Sequence, residues 1–453
     1  MAEPLPLRNW LQFLMILTLV AGGFSGNRHL LGVAAVLAIA ATALEWGRLL
    51  KLARVFAILA VLAGGVIAVL LPDRFALLWQ ALVQGVSFAA LMMVLGMLRR
   101  PVRRSAFVRS GTQYLLAFEP KRRYAAINIG AHFLSLLFNV GMIAMIGDLA
   151  RAGGSGDAAR RPMVIAAMRG AALVSIWSPI GLGFAIVTAG VPALDGMQLM
   201  LTAFAFTAVV LVLTSLLPLL PADARGTDGA TAISENATVR PLLITLGVCA
   251  LLLAVTIGLH RGGGVSFTLA SVAVLPVFTA AWLWLEIGKD KRLYLSELKG
   301  ALAGLGDLRS ESAIFLSANV IGAAISIVLV SRPEWREVAA SGTPALPVLL
   351  AGLFLIPLAA ACFIPNSIFV VILAQLLGAS PIGTAHPLAL GVMLTVAWAS
   401  AVSVSPISAM CLITAAQSGV SPQRVAWRWN APFAILVLAL AAALISGLVA
   451  FGR

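Results

Sequence analysis

The sequence predicts an all-α polytopic membrane protein: one lead helix followed by two inverted repeats, each with a re-entrant hairpin and a broken helix. Three observations carry this. Of 453 residues, 61% are hydrophobic and only 11% charged, whereas soluble domains run near one quarter charged. Apolar runs long enough to cross a bilayer recur along the whole chain. Finally, glycines, hydroxyls and prolines interrupt two of those runs at matching positions.

Apolar segments fall near 10–25, 29–45, 52–72, 75–98, 124–148, 163–191, 197–220, 241–260, 265–287, 312–331, 345–378, 386–418 and 431–451. The first lacks a clear A-x-A cleavage site and reads as a spanning helix, with residues 1–28 as an N-terminal element. Basic residues crowd the loops 99–123 and 289–309, with a smaller cluster at Arg48, Lys51 and Arg54. All three should face the cytoplasm. Counting from a cytoplasmic N-terminus satisfies them only if segment 124–148 dips in and returns, so that Arg151, Arg160 and Arg161 stay inside. Asn139 and Gly141 offer its turn. Segment 345–378 is too long for one upright helix and holds "CFIPNSIF" near its middle, so it reads as a second hairpin, entered from outside.

This count divides the chain into repeat one at 29–220, a linker at 221–240 and repeat two at 241–453. Each repeat has three crossings, a hairpin, an interrupted helix (163–191 or 386–418) and a last crossing. The sequence supports the pairing. "SPI" at 178–180 recurs at 405–407, and Ile186 and Ala189 match Ile413 and Ala416 at the same offset of 227 residues. That offset also carries Asn139 onto Asn366.

Breaking a helix in lipid is tolerated where the freed backbone is buried in protein or lines a polar cavity. A new N-terminus carries roughly half a positive charge, and a new C-terminus presents carbonyls to a small cation. Inverted repeats with such helices recur in secondary transporters, with the substrate held near the midplane. The site candidates are therefore Ser178-Pro179 and Ser405-Pro406, with Gly181 allowing close backbone approach. Asn139, Gly141 and Asn366-Ser367 stand at the tips, and Ser408, Thr188 and Thr414 add hydroxyls. His132 could carry a coupling proton. Arg169 could pair with an anion or snorkel to the surface. Asp148 is a further proton-site candidate. No segment holds a carboxylate at its centre, so a small, anionic solute held by dipoles, amides and hydroxyls fits better than a proton or sodium cargo. Na+ or H+ as a coupling ion leaves little trace in sequence.

Other classes fit less well. The net charge of +14 is spread over short loops, with no basic soluble domain for nucleic acid. Cys249, Cys362 and Cys411 make no metal spacing, and no cofactor is expected. No apolar segment holds paired acids or H-E-x-x-H, so enzyme chemistry is not expected. A channel, whose filter can also use re-entrant loops, and a scaffold without cargo are further alternatives.

The lead helix, opposed hairpins and Ser/Asn/Pro-rich breaks, "SPIGLG" and "SPISAM" with "LFNVG" and "IPNSI", resemble the ion transporter superfamily. That group includes divalent-anion/sodium symporters, arsenite and sodium/proton antiporters, and the large membrane subunit of TRAP transporters. The resemblance covers nearly the whole chain in topology but only the breaks in sequence. It implies an elevator in the bacterial inner membrane, with scaffold and transport domains, working as a homodimer. The symporters' Ser-Asn-Thr tip motif is reduced here to Asn139 and Asn366, which weakens the case for dicarboxylates. A TRAP-like subunit would need a binding protein.

Overall fold

The computed structural model describes residues 6–225, 238–332 and 344–451; the expected linker 221–240 falls partly outside them, at 226–237. Among the described residues every regular element is helical, since a helix satisfies its backbone within one segment. Among the described residues ten helices or consecutive helix pairs are long and apolar enough to cross a membrane, and the chain is a multi-pass membrane protein.

The order begins with α1 (Leu7–Ser25), α2 (Arg28–Leu44), α3 (Lys51–Leu70), α4 (Phe75–Arg104), α5 (Ala106–Leu116), α6 (Pro120–Phe138) and α7 (Gly141–Ala152). It continues with α8 (Asp157–Trp177), α9 (Leu182–Gly190), α10 (Gly196–Leu216), α11 (Arg240–Gly263), α12 (Phe267–Ile287), α13 (Lys291–Ala303) and α14 (Arg309–Ser331). The last are α15 (Ala345–Ala361), α16 (Asn366–Gly378), α17 (Pro381–Ala385), α18 (Pro387–Val404), α19 (Ala409–Ser418), a π-helical turn at Arg424–Trp429 and α20 (Ala431–Phe451). Local chemistry starts many of them. The Asn27 side chain accepts the N–H groups of His29 and Leu30, and Asp195 accepts those of Met197 and Gln198, so each supplies acceptors to orphan donors at a helix start.

Helices α5 and α13 lie in basic stretches that the sequence reads as loops. They escape a search for long apolar runs because they are short and charged. In α5 the buried positions Val108, Gly111, Thr112, Leu115 and Leu116 form one stripe at helical spacing.

The chain divides into two compact units, and each draws on both sequence halves. Unit one comprises Met1–Ser105, Leu252–Thr343 and Val371–Leu376; unit two comprises Ala106–Leu251, Pro344–Val370 and Leu377–Arg453. In unit one, α4 packs against α12 and α14. Gly96 lets the α4 backbone meet Gly304, where a Cβ would strike the Gly304 carbonyl oxygen. The N-terminal helix is tied in by Asn9, whose Nδ2 donates to the carbonyls of Leu302 and Ala303 at 3.2 Å each. Glu45 is buried and pairs with Arg8 at 3.0 Å.

Unit two is organised around α8–α9 and α18–α19, whose apolar windows are each 89% buried. The interrupted helices thus lie in protein, not lipid, which is where free backbone groups can be tolerated. The two pairs run in opposite directions. At one end Arg160, near the start of α8, donates its Nε to the Gln417 carbonyl near the end of α19, at 2.7 Å. At the other end Gly391, near the start of α18, packs on Leu194 and Leu199, just beyond α9.

Candidate functional site

Helix α8 ends at Trp177. Ser178 turns extended, with φ −69° and ψ 122°, while its N–H still reaches the Val174 carbonyl at 3.0 Å. Pro179 follows and has no N–H to continue the ladder. Gly181 bonds back to the Ser178 carbonyl at 2.9 Å, and α9 starts at Leu182. The second interruption repeats this geometry. Ser405 has φ −87° and ψ 116°, its N–H reaches Ala401 at 3.0 Å, and Ser408 bonds back to the Ser405 carbonyl at 3.0 Å. The halves differ in one respect. Ser408 donates to the Val402 carbonyl at 2.7 Å and accepts the Cys411 N–H at 3.1 Å, so its hydroxyl stitches the second break, whereas glycine occupies the same place in the first.

Among the described residues, the hydroxyls of Ser178 and Ser405 take no hydrogen-bond partner, although both residues are buried. Thr414 Oγ1, Ser135 Oγ and the Asn366 amide nitrogen are also buried and unpartnered. A buried polar atom without a partner costs about 1–3 kcal/mol, and unit two carries several. Ser135 stands one turn before Asn139 in "HFLSLLFN"; that i, i+4 spacing was the signal sequence reading passed over.

The hairpins turn on strained residues. Asn139 has φ 49° and ψ −132°, the geometry of the first central residue of a type II′ turn, normally glycine. It is exposed, and Gly141 beyond it faces open space. The second tip turns at Phe363, with φ 65°. Its N–H and that of Ile364 return to the Ala360 and Ala359 carbonyls at 3.2 and 3.1 Å, in the manner of a Schellman cap. Asn366 therefore begins α16 instead of occupying the turn, and Ser367 is buried beside it. The Trp427 indole donates to the Ala361 carbonyl at 3.1 Å, and its ring meets Phe363 edge-on at 5.8 Å. Such backbone strain tends to gather at functional sites.

The first tip lies at the depth of the first break. Helices α6 and α8 run side by side in the same direction and cross at Gly170, where a Cβ would strike the Asn128 carbonyl. His132 links them. Its Nδ1 bonds the Gly170 carbonyl at 3.1 Å, and its Nε2 faces the Trp177 indole nitrogen at 3.1 Å. Indole only donates, so Nε2 accepts and the proton sits on Nδ1. Seven residues lead from His132 to Asn139 and eight from Gly170 to Ser178, about 10–12 Å of helical rise in each. In α9, Gly183 lies against the Trp398 ring of α18.

The remaining candidates are placed as follows. Thr188 donates to the Phe184 carbonyl at 2.9 Å, within its own helix. Asp148 is exposed on α7, accepts from Gln417 at 2.9 Å and lies 3.8 Å from Arg151. Arg169 is fully buried, and its donors are all engaged by uncharged oxygens. Nε meets Asn430 Oδ1 at 3.2 Å; Nη1 meets the Tyr124 hydroxyl at 2.9 Å and the Pro218 carbonyl. Nη2 meets the Trp429 carbonyl at 2.6 Å and that of Leu219 at 3.5 Å. Leu219 is itself left-handed, with φ 47°. Arg169 thus joins the end of α10 to the start of α20.

Outside the spanning segments, Asp223 accepts from Arg424 at 2.8 Å and from the Trp429 indole at 3.1 Å, with Arg428 at 3.7 Å. Burial opposes its charge, but the Trp429 and Arg424 bonds and the two guanidinium charges outweigh burial and hold its carboxyl below the ordinary value. Among the described residues, no three His, Cys, Asp or Glu side chains converge on a metal-sized space.

No family model matches this sequence, and no curated protein matches it. Among solved structures the chain is similar to the YdaH transporter of Alcanivorax borkumensis, described as having an unusual topology. The TM-score is 0.54 at 15% identity, over 88% of this chain and 98% of that one. At that identity the likeness shows a shared polytopic helical fold.

Proposed function

We propose that this chain is a secondary active transporter that moves a small anionic solute, a carboxylate or oxyanion, across the bacterial inner membrane. The observation that carries the reading is the matched pair of interruptions at Ser178-Pro179 and Ser405-Pro406, buried in one unit, with free hydroxyls at both. Helix N-termini there hold an anion through oriented N–H groups, and unwound carbonyls suit Na+ or H+ as the coupling ion. Ser178, Ser405, Asn139, Asn366 and Thr414 bind the solute or ion, with Pro179, Pro406, Gly141 and Gly181 shaping the backbone around it. Thr188, whose hydroxyl serves its own helix, and Ser408, whose hydroxyl stitches the second break, have a supporting role. His132 holds Trp177, and through it the end of α8, in place.

Unit two, with both breaks and hairpin one, suits the mobile body of an elevator, and unit one a scaffold through which two copies pair. The N-terminus lies in the cytoplasm. The ion transporter superfamily is the group whose architecture this reading matches, and the fold shared with a transporter supports it. The test is a thermal-shift screen of small anions with and without Na+ at two pH values, followed by counterflow in proteoliposomes. Saturable counterflow of one anion that depends on the ion gradient is the expected result. Flux that neither saturates nor exchanges would make the protein a channel, and no flux of any anion would end the proposal.

A further inference from the structure

Unit two also carries a groove of about 490 Å³ away from the breaks, bounded by α5, the first half of α6 and the start of α11. Ala125, Ala126 and Gly130 line it together with the larger Leu115, Phe118 and Phe133. The short side chains among them leave the space. Gly130 also admits the Leu115 side chain, which a Cβ would displace. One charged residue lines the groove, Arg122. Among the described residues its guanidinium takes no partner, whereas neighbouring Arg123 is spent on the Phe118 carbonyl at 2.9 Å. Lys121 and Arg122 are both exposed.

We propose that this groove holds an acyl chain of an anionic phospholipid, with Arg122 taking the headgroup phosphate. The apolar trough opens outward, with Ile129 40% exposed at its edge. Buried chain methylenes supply affinity without selectivity. The unpaired fork at one end supplies the preference for negative charge, because guanidinium matches phosphate oxygens bidentately. Basic pockets between helices near the cytoplasmic face recognise lipid headgroups by this combination. The site is independent of the transported solute, since it involves neither break nor tip.

The test is native mass spectrometry of the delipidated full-length protein, titrated with dioleoyl-phosphatidylglycerol or dioleoyl-phosphatidylcholine. The glycerol lipid should bind its first site about fivefold more tightly, the worth of one basic residue near the membrane surface. Arg122→Gln should bring the ratio near one, and Arg122→Lys should keep most of it. Ala126→Phe, or the milder Ala125→Leu, should weaken both lipids by filling the trough. An unchanged ratio in Arg122→Gln, or unchanged affinities in both filling variants, overturns the proposal. Inorganic phosphate at millimolar concentration should leave the glycerol lipid bound; its displacement would mark a free-anion site instead, and also overturn it.

Discussion

Replacing Arg169 with methionine isolates the largest polar knot in unit two. Five N–H donors hold the Tyr124 hydroxyl, the Asn430 side chain and the carbonyls of Pro218, Leu219 and Trp429. Methionine keeps most of the volume but donates nothing, so three backbone carbonyls lose a partner at about 1–3 kcal/mol each. Against this, the variant no longer buries a charge, whose effective cost is several kcal/mol. The balance of lost partners against the relieved burial of a charge predicts a loss of about 3 kcal/mol. Arg169→Lys, with three donors on one nitrogen, should recover part of it. Thermal unfolding in detergent, followed by size-exclusion chromatography, measures both variants. If Arg169→Met melts within a degree of the parent, the knot is not structural. If it also loses an anion-dependent thermal shift while staying folded, Arg169 belongs to the solute and not to the scaffold of unit two.

Further expectations follow from the same geometry. Ser178→Ala and Ser405→Ala should each cut uptake at least tenfold with little change in melting temperature, because neither hydroxyl holds up the fold; parental uptake in both would remove them from the site. Asn139→Gly should keep stability, since glycine suits φ 49°, yet lose uptake with the amide. Asn139→Val should instead destabilise by about 1–2 kcal/mol. Because the Asp223 carboxyl sits below its ordinary value, its contribution is present above the unfolded pKa near 3.9 and is lost as pH falls through the lower folded value. The part of the melting temperature's pH dependence that Asp223 supplies should therefore appear only below about pH 4, and Asp223→Asn, which removes the stabilising charge, should lower the melting temperature at neutral pH. In a background lacking Cys249, Cys362 and Cys411, cysteines at the exposed positions Gly156 and Ala379 should label from opposite sides of the membrane. Labelling from one side would refute the opposed insertion of the hairpins.

Much of the architecture was legible because the membrane makes composition decisive. Apolar length sets each crossing, a polar or proline-bearing gap marks each place where the ladder stops, and the observed breaks fall at Ser178 and Ser405, where the repeated "SPI" puts them. The first hairpin turns at Asn139 for the same reason: an amide tolerates a left-handed backbone better than its apolar neighbours. The second tip was misplaced by a few residues, because Phe363 carries the positive φ and nothing about a phenylalanine announces it. Helices α5 and α13 were hidden by charge.

Tertiary structure alone decided which polar side chains are free. In one dimension Thr188 and Thr414 look alike, yet Thr188 bonds its own helix and Thr414 Oγ1 is buried without a partner. Sequence left Arg169 between ligand and surface; packing closed it inside a ring of carbonyls from the ends of α10 and α20. The physical reason is common to both. Hydropathy is a sum over neighbours along the chain and survives without a fold, but a hydrogen bond to a residue some 260 positions away, such as Arg169 to Trp429, exists only once two distant segments share a place.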